Sequence, residues 1–242
     1  MVREITFNSV NINKQSNATV CYVSGEGAYN SPARVYDVYD VPGRNGALTI
    51  DRGKFENIEV SYHCFLFGDT RQDLLTKYEN LKKTLYSAYG YVKITDSKLN
   101  GYRLGVLMSG LDVEPKFYDR TLEFDLVFNC KPQIFETETQ TSYNSGTHTI
   151  TNPTPFKAPA LIQFNGTGSF SINGKTVTIN IPSAKQTTTY FDTETLEAYT
   201  STESYNSYFT IANDDLLLNP GNNTLVVSGV TQFKMTPRYW RV

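Results

Sequence analysis

Tyr39-Asp40-Val41-Pro42-Gly43-Arg44-Asn45-Gly46 sets two turns back to back, and the run that follows, Ala47 to Leu66, reads as strand. The Pro42 ring fixes φ for the first corner of a turn, Gly43 is free to take positive φ, and Asn45-Gly46 is a strong short hairpin signal. Further on, Ile58-Glu59-Val60-Ser61-Tyr62 alternates apolar and polar, so one face of that strand belongs to a core and the other to water. An amphipathic helix is expected next, from about Arg71 to Ala88. Thr70 with Asp73 three residues later resembles a capping box that uses Asp, and Gly90 stands where an αL residue would end the helix. Leu74, Tyr78, Leu81, Leu85 and Ala88 form a single apolar stripe suited to covering a β surface. Burial of such a stripe is worth about 1.5–3 kcal/mol per large side chain, so the sheet holds the helix, which would not be stable alone. The other face carries Arg71, Lys77, Lys82 and Lys83 with Asp73 and Glu79. A charged helix face is ordinarily solvated; contact with a neighbouring subunit is its functional alternative, and Arg71, Lys77, Lys82, Lys83 and the turn residue Arg44 are the subunit-interface candidates, with unpaired edge strands as the other candidate patch.

Outward from this region, Thr121 to Phe128 places Leu122, Phe124, Leu126 and Phe128 on one face at period two and is the clearest strand in the chain. Composition then changes. Lys+Arg and Asp+Glu number 16 and 16 in residues 1–133 but only 6 and 8 in 134–242, where Ser, Thr and Asn supply 40 of 109 residues. Thr favours exposed strands, while Asn and Ser favour turns. Two domains of different character follow: 1–132 and 159–242, with 133–158 as a Pro-containing polar linker. Seven short strands are expected in the second half, beginning near Ala160, Phe170, Thr176, Thr188, Tyr208, Thr224 and Gln232, with Asn173-Gly174 and Pro220-Gly221-Asn222-Asn223 as turns. That pattern fits a β-sandwich.

Several classes of function are poorly supplied. The formal charge is −2 and no Lys/Arg cluster could neutralise several phosphates at once, which argues against a direct grip on nucleic acid. The first residues lack the apolar core of a signal peptide and no run approaches a membrane span, so synthesis and folding in a cytoplasm are expected. Cys21, Cys64 and Cys130 are odd in number and widely spaced, and read as buried thiols. Of the two histidines, His63 reads as a partly buried strand residue and His148 as a loop position. There is no G-x-S-x-G elbow. Gly25-Glu26-Gly27 and Gly166-Thr167-Gly168 begin a G-x-G-x-x-G pattern, but Asn30 and Ser171 replace its third glycine, and turns are the simpler reading. The acidic pairs Asp214-Asp215 and Asp192 with Glu194 read as turn and capping groups, and Asn213-Asp214-Asp215 lacks EF-hand spacing. No catalytic residue, cofactor or metal site is expected.

The order of the pieces carries a resemblance. The turn and the lone helix, then Asn129-Cys130-Lys131-Pro132-Gln133, Asn152-Pro153-Thr154-Pro155-Phe156 with Ala158-Pro159, Phe191 to Tyr199, Leu218 to Leu225, and Pro237-Arg238-Tyr239-Trp240-Arg241 together resemble the distal tail proteins of long-tailed (siphovirus) bacteriophages. The resemblance implies a mainly β chain: an N-terminal tail-tube-like β-sandwich or split barrel with one packed helix, plus a C-terminal galectin-like β-sandwich. It further implies a six-membered hub ring at the virion tail tip or baseplate, assembled in the host cytoplasm. Its partners would be other copies of itself, the tail tube protein, a tail-tip or tail-associated protein, and receptor-binding or baseplate proteins, with no membrane. DNA would pass through its channel without specific binding, which a near-neutral first domain suits. The second half has no room for the inserted carbohydrate-binding module that some members carry. The alternative function is a carbohydrate-binding β-sandwich module, motivated by the Ser/Thr/Asn-rich half; there Trp240 has the simpler role of closing a strand on the core.

Overall fold

The computed structural model describes residues 3–13, 21–23, 30–108, 110–111, 114–116, 120–212 and 215–242. Gly25-Glu26-Gly27, Asn213-Asp214 and the side chain of Cys21 lie outside the described residues. Among the described residues the chain is mainly β with one α-helix, and it divides between Ile134 and Phe135 into two compact units.

In the first unit the strands lie in the order Val10–Asn11, Ile5–Phe7, Val92–Asp96, Tyr102–Leu107, Thr121–Phe135, Ile58–Phe67 and Cys21–Val23, and this path does not close on itself. The long antiparallel ladder from Thr121↔Phe67 to Cys130↔Ile58 is its backbone. Period-two alternation sends Ile58, Val60, Tyr62, Cys64 and Leu66 inward beside Leu122, Phe124, Leu126, Phe128 and Cys130. Phe7 and Tyr62 meet Phe128 with ring centres 5.6 and 5.9 Å away. Arg3 and Asp96 are both buried and joined by a two-pronged ion pair, with Arg3 Nε donating to Asp96 at 3.0 and 2.9 Å. Cys64 and Cys130 are buried thiols, and burial pushes the Cys130 thiol up to about 11.

The helix runs Arg71–Tyr86 and lays Leu74, Leu81 and Leu85 on this core. Asp73 N donates to Thr70 Oγ1 at 3.1 Å, as the sequence anticipates, but the returning carboxylate takes the N–H of Asp69, not that of Thr70. The helix ends two residues short of the expected Ala88, on Ser87 in ordinary helical geometry. Gly90 has φ +69° but stands beyond the cap. His63 is exposed, not partly buried: strand alternation turns it outward, where its Nδ1 lies 2.7 Å from Asp125 Oδ1.

The second unit is a sandwich of two five-stranded antiparallel sheets. One has the order Thr141–Tyr143, Thr231–Pro237, Ala160–Asn165, Thr189–Asp192, Glu197–Tyr199. The other has Gly146–Asn152, Gly221–Ser228, Gly168–Ile172, Lys175–Ile179, Phe209–Ile211. Their inner faces share one core in which Phe191 packs on Phe170 and Phe209 at 5.6 and 5.5 Å. Asn173 and Gly174 take φ of +51° and +79°, the geometry a two-residue hairpin needs, and close Ile172 onto Lys175. Buried Asn223 ties neighbouring segments together, accepting from Asn219 N and Asn173 Nδ2 and donating to Asn219 O and Gly221 O. Part of the stretch expected to link the halves is strand: Thr141–Tyr143 pairs with Phe233–Met235, and Gly146–Asn152 with Gly221–Val227. His148 therefore sits on a strand, held by Asn144 O at 2.8 Å, and not in a loop. Trp240 stacks on Phe156 at 4.1 Å and donates its Nε1 hydrogen to Lys157 O.

Candidate assembly interface

The turn over residues 40–46 sits at the tip of a two-stranded arm. Among the described residues, Arg34–Tyr39 and Leu48–Phe55 pair only with each other, in the register Tyr36↔Asp51, Asp37↔Ile50, Val38↔Thr49, Tyr39↔Leu48. The sequence suggests one strand from Ala47 to Leu66. The structure breaks it at Glu56-Asn57, so the first part serves the arm and the second the core. Residues 40–47 form the tip, closed by Arg44 N donating to Val41 O at 3.2 Å, with Gly43 and Gly46 at φ +79° and +83°. Asn45 has no positive φ, so Asn45-Gly46 does not make a two-residue hairpin; it finishes a wider loop.

Opposed residues share a face, so Tyr36, Val38, Thr49 and Asp51 lie on one side of the arm and Asp37, Tyr39, Leu48 and Ile50 on the other. Both sides are apolar and open to water: Tyr36 is 50% exposed, Val38 63%, Tyr39 53%, Leu48 43% and Ile50 49%. An ion pair staples the strands on each side, Arg34 to Asp51 at 2.6 Å and Arg52 to Asp37 at 2.8 Å. The Gly53 N–H, and after it the Arg34 guanidinium, hold the Asp51 carboxyl below its usual range. Charge thus stitches the base of the arm, and the outer half is left with uncovered apolar side chains.

The five interface candidates do not form one patch. Arg44 is exposed at the tip of the arm. Arg71 and Lys83 are exposed at opposite ends of the helix, and Lys82 is half-buried, 3.1 Å from Glu79 and 5.1 Å from the centre of the Tyr78 ring. Lys77 belongs with the apolar stripe, not the charged face. It is buried, its Nζ donating to Phe67 O at 3.2 Å and pairing with Asp73 at 2.8 Å. One turn after Leu74, its methylene stem is laid along the sheet while its ammonium finds oxygen. Reading from sequence did not single out the exposed apolar residues Tyr36, Val38, Tyr39, Leu48 and Ile50. Apolar residues at both parities in a short, charge-flanked hairpin were the available signal.

The remaining charged clusters are structural ties. Arg238 donates to both carboxylate oxygens of Asp192 at 3.0 and 2.6 Å and reaches Glu194 at 3.1 Å. Asp215 accepts from Lys157 and Lys175 at 2.8 and 2.7 Å, and these hydrogen bonds hold its carboxyl down at about 2. Gly166-Thr167-Gly168 is a turn between strands, with Thr167 Oγ1 donating to Ile181 O at 2.8 Å. Among the described residues no three His, Cys, Asp or Glu side chains gather as metal ligands would, and no helix is long and apolar enough to cross a membrane.

The sequence matches no protein-family model and no curated protein sequence. The three-dimensional fold does match. The crystal structure of SPP1 Dit, described as a paradigm of the hub adsorption apparatus in phages infecting Gram-positive hosts, aligns over 100% of both chains with a TM-score of 0.70 at 15% identity. A chain of the phage P2 baseplate in its activated conformation with Ca aligns over 99% of this chain and 98% of that one (TM-score 0.61, 8% identity). Another, from that baseplate with Sr, covers 100% and 98% (TM-score 0.62, 8% identity). The mainly β architecture with one helix that the sequence resemblance implies is thus observed: the chain has a Dit-like phage tail protein fold.

Proposed function

We propose that the protein is the structural hub at the distal end of a siphovirus tail tube. Six copies form a ring around a channel for DNA and join the tube to the tail-tip, baseplate and receptor-binding proteins. The protein acts by assembly rather than catalysis, at the virion tail tip, after synthesis in the host cytoplasm. The arm is the observation that carries this reading. An isolated two-stranded hairpin is marginally stable in water, and this one holds five large apolar side chains uncovered. A ring needs head-to-tail contacts in which different patches meet on adjacent subunits, and an arm laid on its neighbour's body is such a contact. Residues 1–132 would make the ring and 159–242 would project from it. The outward face of the longest ladder, with Glu59, Glu123 and Asp125 beside His63, suits a channel wall, because carboxylates offer phosphates nothing to grip.

Light scattering of the purified chain over a concentration series, with negative-stain images of the heaviest species, tests the reading. Six-membered rings, alone or in stacked pairs, are expected. A monomer at every concentration that stays monomeric when tail tube protein is added would overturn it.

A further inference from the structure

We propose that Asn45-Gly46, at the tip of the two-stranded arm, is a modification site at which the chain converts its own Asn45 to aspartate and isoaspartate. The backbone nitrogen of Gly46 attacks the side-chain amide carbon of Asn45. The new C–N bond closes a succinimide ring, and the side-chain nitrogen leaves as ammonia, taking the proton that the Gly46 nitrogen gives up. Water then opens the ring: breaking the new bond yields aspartate, and breaking the original peptide bond yields isoaspartate, whose main chain runs through the side-chain methylene. Nothing is oxidised or reduced, and water is the sole co-reactant.

The sequence holds four Asn-Gly pairs, at Asn45, Asn100, Asn165 and Asn173, and the fold separates them. Attack needs an Asn side chain free to swing over its own peptide bond and a following nitrogen free of other bonds. Asn173 is fastened on every side: Nδ2 donates to Asn223 Oδ1 at 2.7 Å, Oδ1 accepts from Thr224 N at 2.9 Å, and its own N–H goes to Thr224 O at 2.8 Å. Asn165 is paired with Thr231 at the end of a strand, and its Nδ2 donates to Gln232 Oε1 at 2.9 Å. Asn100 is likewise engaged. Asn45 is exposed, and among the described residues no hydrogen bond engages its side chain or the Gly46 N–H. No atom lies within 4 Å of the place a Cβ on Gly46 would take, and glycine has no side chain of its own to shield the attacking nitrogen. Exposed loop tips of small and polar residues are also the least constrained stretches of a fold. The product sets a carboxylate beside Arg44, and its isoaspartyl form lengthens the main chain of the tip. Any effect of this on assembly rests on the arm being the subunit joint; the reaction itself does not.

Peptide mapping by mass spectrometry of the full chain, sampled during incubation at mildly alkaline pH, tests this, with electron-transfer fragmentation to tell aspartate from isoaspartate. Asn45 should convert ahead of the other three, with Asn165 and Asn173 at least about tenfold slower, since each hydrogen bond that must break first costs roughly a factor of five. The same chain unfolded in guanidinium chloride should convert all four at similar rates, because the order comes from the fold. Gly46→Ala, which sets a methyl group beside the attacking nitrogen, should slow Asn45 severalfold in the folded chain. The proposal is overturned if any other pair in the folded chain keeps pace with Asn45, if Asn45 stays an amide over a period in which the unfolded chain converts, or if Gly46→Ala leaves its rate unchanged.

Discussion

Putting a carboxylate on the arm separates assembly from folding. Val38 and Ile50 lie on opposite sides of the arm, 63% and 49% exposed in the single chain. Fully burying such a side chain is worth about 1.5–3 kcal/mol, so docking still has roughly 1–2 kcal/mol to gain from each. Replacing either by Asp forfeits that gain and adds the cost of drying a carboxylate, several kcal/mol when no partner charge meets it. Together these weaken one subunit contact by roughly 3–5 kcal/mol, on the order of a thousandfold in its dissociation constant. The arm contributes nothing to either core, so thermal unfolding should move by less than about 0.5 kcal/mol, as for other exposed substitutions. Sedimentation velocity of wild type, Val38→Asp, Ile50→Asp and the double variant, with circular dichroism melts alongside, reads both quantities. If one single variant dissociates and the other does not, the docking side of the arm is identified. Intact rings from the double variant would refute the assignment of the arm as the joint.

Three other outcomes follow from the same structure. Leu81→Ala, at a site with no exposure, should cost the first unit about 2–5 kcal/mol in denaturant unfolding, and a change under 1 kcal/mol would mean the helix is not packed as described. Lys82→Glu with Lys83→Glu should leave the melt unchanged; weaker assembly would bring the helix face into the interface, and unchanged assembly would remove it. Asp215 has a folded-state pKa of about 2, depressed by Lys157 and Lys175, against an ordinary value of 3.8. Its contribution is therefore present above pH 4 and fades as the pH falls towards 2. The carboxylate is over a third exposed, so the contribution is about 1 kcal/mol after solvent screening. Asp215→Asn should destabilise the second unit by that amount at pH 7 and by less than half of it at pH 2, where the folded-state carboxylate is half protonated, and an equal loss at both would place the effect in packing.

Local geometry was legible in the sequence where one or two residues dictate it. Asn173-Gly174 demanded positive φ at both positions and took it, and the Thr70 cap and the Leu74, Leu81, Leu85 stripe located the helix because capping and 3.6-residue periodicity are intrinsic to the chain. Burial was less legible. Leu48 to Phe55 and Ile58 to Phe67 both look like half-buried strands, yet only the second has a core, since what covers a strand is decided by distant residues. Thr141–Tyr143 and Gly146–Asn152 carry too few apolar side chains to announce themselves and are strands because each finds an edge to pair with.

In the proposed ring, an arm docked on its neighbour would also give each copy a giving end and a receiving end. A copy whose arm is ruined would still receive its neighbour, so it would enter rings and leave each one open at a single seam. With roughly one defective copy in ten, only about half of six-membered rings would be complete. Such a variant would poison assembly in mixture with the wild type, out of proportion to its abundance, whereas one that merely unfolds would simply drop out.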